Sequence, residues 1–307
     1  MRTWMRLLRA VISLWLIVTL VFVGLRMTGD PAIAVLNPDD MTKEMIDAYR
    51  KRWGFEGTIW EQYLIYIWNV IHGNFGLSTL NGQDALGVVR ERLPATLLLV
   101  GCSTLVMLLI GVPLGTLAAF KSGSRLDGFI MSGSTLGFAL PNFFFGLLLI
   151  LVFSMTLRML PSGGRGTVLH LILPVVTIGV AKAAIFTRFV RSAVLDALRL
   201  PCITAAKARG LSGTRILFWH VFPNSLIPLV TILPLLVGGM IGAASVVEAV
   251  FAWPGVGRLI VESVAQRNLS VVQVVIILVA AVMITANLIV DFLYSWLDPR
   301  TTIAAAH

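Results

Sequence analysis

The chain has 307 residues, 57% of them hydrophobic and 13% charged, with 24 Lys and Arg against 15 Asp and Glu. Globular domains carry about 45–50% apolar and about 25% charged residues, so this composition excludes a soluble single domain and a disordered chain. A formal charge of +9 on so apolar a chain points to a membrane protein oriented by its basic loops before a nucleic-acid binder.

A helix needs about 20 apolar residues to cross roughly 30 Å of hydrocarbon. The first candidate covers 11–25 and extends toward Leu7 and Leu8. Arg2, Arg6 and Arg9 in front and Ala32-Ile33-Ala34 behind also suit a secretory signal. The apolar run is long for such a signal, however, and Arg26 and Asp30 precede any cleavage site, so a retained span is the reading. Next, Asp39 and Asp40 lead into Met41, Met45, Ile46, Tyr49 and Trp53 at helical spacing with Gly54 as the stop, which predicts a capped amphipathic helix. A second helix is expected from Ile59 to His72, rich in Trp60, Tyr63, Tyr66 and Trp68. It serves either as an interfacial aromatic belt, the preferred reading, or as a surface for an external partner.

Four further spans follow from uncharged runs, between Arg92 and Lys121, Asp127 and Arg158, Arg215 and Glu248, and Arg267 and Asp291. A sixth span is read from Leu171 to Phe189, with Lys182 and Arg188 as snorkelling cations where the helix emerges. With the N-terminus inside, short inner segments hold thirteen Lys and Arg against four in the short outer ones. Both termini are therefore expected on the inner side. The fold class is all-α, a membrane protein with six transmembrane helices.

Catalytic constellations are sparse. There is neither a GxxxxGK[ST] phosphate loop nor an HExxH, the histidines at 72, 170, 220 and 307 are scattered, and Cys102 and Cys202 form no framework or metal-thiolate motif. Gly210-Leu211-Ser212-Gly213 matches a GxSG nucleophile pattern, but it sits in a basic segment outside the spans and reads better as a turn after a helix. Glycine pairs four apart, Gly111 with Gly115, Gly133 with Gly137 and Gly238 with Gly242, allow close helix approach. Pro113, Pro141 and Pro234 lie within spans and place those helices in a bundle around a cavity. Asn142, Glu248, Asn287 and Asp291 are candidates either for lining a route or for bracing helices, Asn287 and Asp291 being one turn apart. Glu248 opens a Pro- and Gly-containing stretch to Gly257 that predicts a tight bend or re-entrant element.

The sharpest feature is the basic segment over 199–223. Thr204-Ala205-Ala206-Lys207-Ala208-Arg209-Gly210 predicts a helix with small residues on one side and a terminating glycine, followed by a second helical stretch up to Pro223. It is either an amphipathic helix on anionic lipid or, as the small residues favour, a helix seated in a partner's groove. Ala205-Ala206, Gly210 and Pro223 fall where the EAA motif of ABC-importer permeases places its Ala-Ala, Gly and Pro. Beyond that motif the chain resembles the dipeptide, oligopeptide and nickel permease family through Thr28-Gly29-Asp30-Pro31, Glu91-Arg92-Leu93-Pro94-Ala95-Thr96, Leu160-Pro161, Asn224-Ser225-Leu226-Ile227-Pro228, the stretch from Phe251 to Gly257, and Leu297-Asp298-Pro299-Arg300. It departs at Thr204, where the motif has Glu, and at His220 and Phe222, where it has Ile and Leu.

The resemblance implies a type I ABC-importer permease fold in a bacterial inner membrane, with Thr204, Ala205, Ala206, Gly210 and Pro223 on a cytoplasmic helix that couples to the ATPase. It divides the chain into a tail and first span (1–26), a large periplasmic loop with helices (27–93), a core permease domain (94–300) and a cytoplasmic tail (301–307). Implied partners are a second homologous permease, two cytoplasmic ATPases, a periplasmic solute-binding protein and the lipid bilayer, with no nucleic acid. No cofactor is expected in this chain, ATP and Mg belonging to the ATPase subunits, and no catalysis. The family implies di- or oligopeptides as first solute and nickel or a metal chelate as second. An intramembrane enzyme or a sensor or scaffold are the competing classes.

Overall fold

The computed structural model describes residues 3–27, 57–78 and 82–297. The helix expected over 39–53, the 28–31 block and the 298–307 tail lie outside the described residues, as does the side chain of Asp291. In chain order the helices are α1 (Thr3–Met27), α2 (Ile59–Ile71), α3 (Ala85–Phe120), α4 (Arg125–Ala139), α5 (Asn142–Leu149) and α6 (Leu169–Leu198). They continue with α7 (Pro201–Ala208), α8 (Gly213–Ile216), α9 (Phe222–Val250), α10 (Val256–Ala265) and α11 (Leu269–Leu297). Lipid offers no partner to a backbone amide, so apolar runs of this length close their hydrogen bonds internally as helices. Among the described residues five helices are long and apolar enough to cross a membrane, and a bent pair makes a sixth if it counts as one span.

That bent pair occupies the expected span between Asp127 and Arg158 and breaks at Pro141. Helices α4 and α5 meet at 99°. Pro141 cannot donate a backbone hydrogen bond, and it pushes Leu140 into extended backbone at ψ 125°. After α5 the chain continues as a π-helical turn over Ile150–Thr156. Two boundaries differ from expectation. Helix α6 runs on to Leu198, so Lys182 stands near its middle rather than at its emergence. Glu248, expected to open the outer segment, is still inside α9.

The chain forms two compact units, residues 1–95 with 255–288 and residues 96–254 with 289–307. In the first, the expected helix at 59 is closed at its start by a capping box, in which Thr58 accepts from the Glu61 amide and the Glu61 carboxylate accepts from the Thr58 amide at 2.7 Å. Helix α2 packs on α1 through Phe22, whose ring lies 5.2 Å from Tyr63 and 5.3 Å from Tyr66, and Thr19 shares a 2.8 Å hydrogen bond with the Tyr63 hydroxyl. Trp60 and Trp68 remain exposed. A core of Val89, Val256, Val271, Val274 and Val275 holds α10 and α11 to the start of α3. The buried Asn268 and Gln273 fasten the preceding loop by donating to Ser78 Oγ at 2.8 Å and to the Phe75 carbonyl at 2.7 Å.

In the second unit α6 is the central element. A Cβ on Gly111 would meet Phe186 at 2.8 Å, one on Gly115 would meet the Thr187 carbonyl at 2.6 Å, and one on Gly179 would meet Val106 at 2.8 Å. Glycines from α3 and α6 thus let the two backbones approach from both sides. The other sequence pairs do less: a Cβ on Gly137 would touch Ala184 at 3.1 Å, whereas Gly133 and Gly242 face open space. At the end of α9, Phe251 and Trp253 are buried, the Gly164 amide donates to the Phe251 carbonyl at 2.8 Å, and Gly146 leaves room for the Phe251 ring. The stretch from Glu248 to Gly257 is therefore a packed turn between α9 and α10.

Candidate functional site

The connection from α6 to α9 is built by local rules. Leu200 is extended at ψ 139° before Pro201, which occupies the first turn of α7 where a missing amide costs nothing. Helix α7 ends in a Schellman motif: the Gly210 amide donates to the Lys207 carbonyl at 2.9 Å, and the Leu211 amide donates to the Ala206 carbonyl at 3.3 Å. Gly210 has the left-handed φ of +74° that this motif demands. Ser212 then caps α8, accepting from the Arg215 amide at 3.4 Å. Its hydroxyl otherwise meets Thr214 at 3.3 Å, which fits the turn reading of the GxSG pattern. A π-helical turn over Leu217–Val221 leads into α9 and ends two residues before Pro223, which has no amide to continue an α register.

This geometry separates two residues that sequence placed together. Ile203 and Ala206 are buried, and so are Ile216 and Val221 in the return stretch, whereas Thr204, Ala205, Lys207 and Gly210 are exposed. Ala206 therefore secures α7 to its own chain, and Ala205 is the small residue on the outward side. Pro223 is exposed, His220 and Phe222 are half-buried, and Phe222 stacks on Phe218 at 5.8 Å.

A groove lies beside this connection. One cavity of about 360 Å³ is lined by Phe189, Ser192 and Asp196 of α6 and by Asn224 and Pro228 of α9. A neighbouring cavity of about 620 Å³ shares Phe189 and Ser192 and adds Arg188 and Arg191, with Met131, Thr135 and Phe138 of α4 across from them. Arg191 anchors α4 to α6: its Nε donates to Asp127 Oδ1 at 2.7 Å and its Nη2 to Oδ2 at 2.8 Å, while the Gly123 amide donates to the same carboxylate at 3.0 Å. Such a two-pronged pair sets orientation as well as distance. Neither the groove nor this pair was read from sequence. The spacing of Ile185, Arg188, Ser192 and Asp196 along one helix is the signal that could have found the groove.

The other candidates disperse. Glu248 is fully buried and accepts from Thr96 Oγ1 at 2.6 Å, which joins α9 to α3. Asn142 is half-buried in the first turn of α5, Asn287 is exposed, and the Asp291 side chain lies outside the described residues. Among the described residues no group of three or more His, Cys, Asp or Glu could hold a metal ion.

A helical membrane chain with a capped helix between two spans and a groove beside its most buried helix suits a transport component. It belongs to the family of binding-protein-dependent transport system inner membrane components, whose model matches residues 111–303, and it is accordingly a multi-pass inner membrane protein. Among curated relatives, the oligopeptide transport system permease protein AppB of Bacillus subtilis (strain 168) is 37% identical over 283 residues, 89% of each chain. The glutathione transport system permease protein GsiC of Escherichia coli (strain K12) is 36% identical over 295 residues, 96% of each chain. A solved chain of the MetNI methionine ABC transporter, in an inward-facing conformation, superposes with a TM-score of 0.59 at 18% identity, covering 69% of this chain and 96% of that one. The chain therefore has the fold of an ABC-importer permease.

Proposed function

We propose that this chain is the permease subunit of an ABC importer that moves small peptides inward, driven by separate ATPases through α7. The observation that carries the reading is α7 itself, a short helix opened by Pro201 and closed by its glycine cap, with Thr204 and Ala205 outward. Such an element suits a partner's groove. Oligopeptides and glutathione, the solutes in the relatives' names, are both peptides, which favours peptide over nickel. The working assembly adds a second permease beside this chain in the bilayer, two cytoplasmic ATPases that carry ATP and Mg, and an external solute-binding protein, without nucleic acid. ATP binding draws the coupling helices together and opens the route outward, and hydrolysis resets it. The energy enters only because the ATP-bound and ATP-free ATPases differ in affinity for the two conformations. This chain performs no catalysis of its own.

Reconstitution of the complete transporter in proteoliposomes tests the reading. ATP-dependent uptake of a labelled tripeptide, requiring all subunits and the loaded binding protein, is expected. Uptake of nickel but not of any peptide would replace the solute class, and ATP hydrolysis by the purified chain alone would remove the assignment. Both termini lie on the ATPase side, so in intact cells a cysteine at Thr42 should react with an impermeant reagent and one at Thr204 should not. The reverse pattern would invert the topology.

A further inference from the structure

Lys182 is a cation within a span that packing does not explain. It stands 13 residues after Leu169 and 16 before Leu198, about 20 and 24 Å at 1.5 Å per residue. A hydrocarbon layer of about 30 Å set anywhere along α6 encloses it. Ionisable groups at that depth are costly and face a protein interior or a watery cavity. The side chain is half-buried, and among the described residues no carboxylate pairs with it. Its ammonium lies across on α9, over Gly239, 3.1 Å from where a Cβ would stand. A larger residue at 239 would displace it.

The surroundings identify the surface. Helix α6 is the most buried of the spans, with 56% of its most apolar window inside the protein. Its exposed residues past the midpoint include Arg188, Phe189, Ser192 and Asp196, and the half-buried Lys182 and Ile185 continue that row one residue every three or four. The exposed row on α9 mixes polar and small positions, Asn224, Thr231, Gly239 and Gly242, with the apolar Leu235 and Val246. A lipid-facing side would be apolar. Polar and small positions recur along both rows, which suits a wall for water and solute better than a uniform lipid face.

We propose that Lys182 is a solute-contacting residue of the transport route, its ammonium receiving the carboxylate of a peptide in transit, with Arg188, which lines the groove, the next cation along the same row. The proposal rests on the peptide-importer reading above, in which a second permease closes the open side of this groove. Every unmodified peptide ends in a carboxylate that is ionised at neutral pH, so one fixed cation serves solutes of varied sequence.

The test uses the complete transporter in proteoliposomes with a tripeptide and its C-terminal amide, a pair chosen because both load the binding protein. Initial uptake in each variant is divided by that in wild type for each solute, so the binding step, common to both, cancels. Lys182→Met is expected to lower uptake of the acid about tenfold and leave the amide within about twofold, with Lys182→Arg restoring most of the loss. ATPase stimulation by the loaded binding protein and co-purification of all subunits verify assembly. Equal loss of both solutes, or loss of the second permease from the complex, would overturn the proposal by making Lys182 a structural or subunit contact. Unchanged uptake of both would place it off the route. Wild-type protein that transports neither peptide would refute the importer reading instead.

Discussion

Replacing Gly210 isolates backbone handedness from bulk at the end of α7. At φ +74° a residue with a Cβ pays about 1–2 kcal/mol relative to glycine. No heavy atom lies within 4 Å of the position that Cβ would take, so in this chain Gly210→Ala adds no clash and its effect is purely conformational. The bonds at risk are the two that close the cap, from Gly210 to Lys207 at 2.9 Å and from Leu211 to Ala206 at 3.3 Å. A penalty of this size shifts the local equilibrium toward a frayed helix end by a factor of about 5–30. Asparagine visits the left-handed region more readily than other side chains, so the expected order of function is glycine, then asparagine, alanine and valine. The assay is peptide uptake and binding-protein-stimulated ATP hydrolysis by the reconstituted transporter, with ATPase subunits quantified in the purified complex. An asparagine variant worse than alanine would show that side-chain volume against a partner decides, not backbone conformation. Wild-type activity across the series would remove α7 from the coupling path.

Ala205→Glu and Ala206→Glu should fail differently. The exposed Ala205 predicts a stable permease that loses its ATPases on purification, whereas the buried Ala206 predicts a destabilised chain, and matching thermal transitions in detergent would contradict the assignment of faces. Gly115→Val drives atoms into the Thr187 carbonyl and Val190 and should cost about 1–3 kcal/mol, while Gly133→Ala, which meets open space inside a helix, should raise the transition temperature slightly, alanine being favoured there by about 0.5–1 kcal/mol. Asp127→Asn should weaken the tie between α4 and α6 by roughly 1–3 kcal/mol. A double-mutant cycle with Arg191→Met that shows no coupling energy would refute the pair.

Several features were legible in the residues alone. Apolar run length predicts the spans because a bilayer leaves the backbone no partner but itself. The helix start at Ile59 and the glycine stop at 210 were readable because the signals that mark them lie within a few residues. A family pattern of ordered local motifs is readable for the same reason.

Contacts between distant segments were decided only in three dimensions. Pro141 announces a break, but its 99° angle depends on how α5 packs against α6 and α9. Gly111 with Gly115 and Gly133 with Gly137 look identical as strings, yet the first pair seats α6 and Gly133 faces nothing. Ala205 and Ala206 are neighbours in sequence and opposites in burial, since successive residues on a helix point about 100° apart and the buried return stretch selects one of them. Lys182 reads as a cation near a helix end until α6 is seen to continue past it to Leu198 and Gly239 of α9 to lie beneath its ammonium. The apolar pattern determines which stretches cross the membrane; which side of each helix meets protein, lipid or solute is set by its neighbours, because burial is a property of pairs of surfaces rather than of either one.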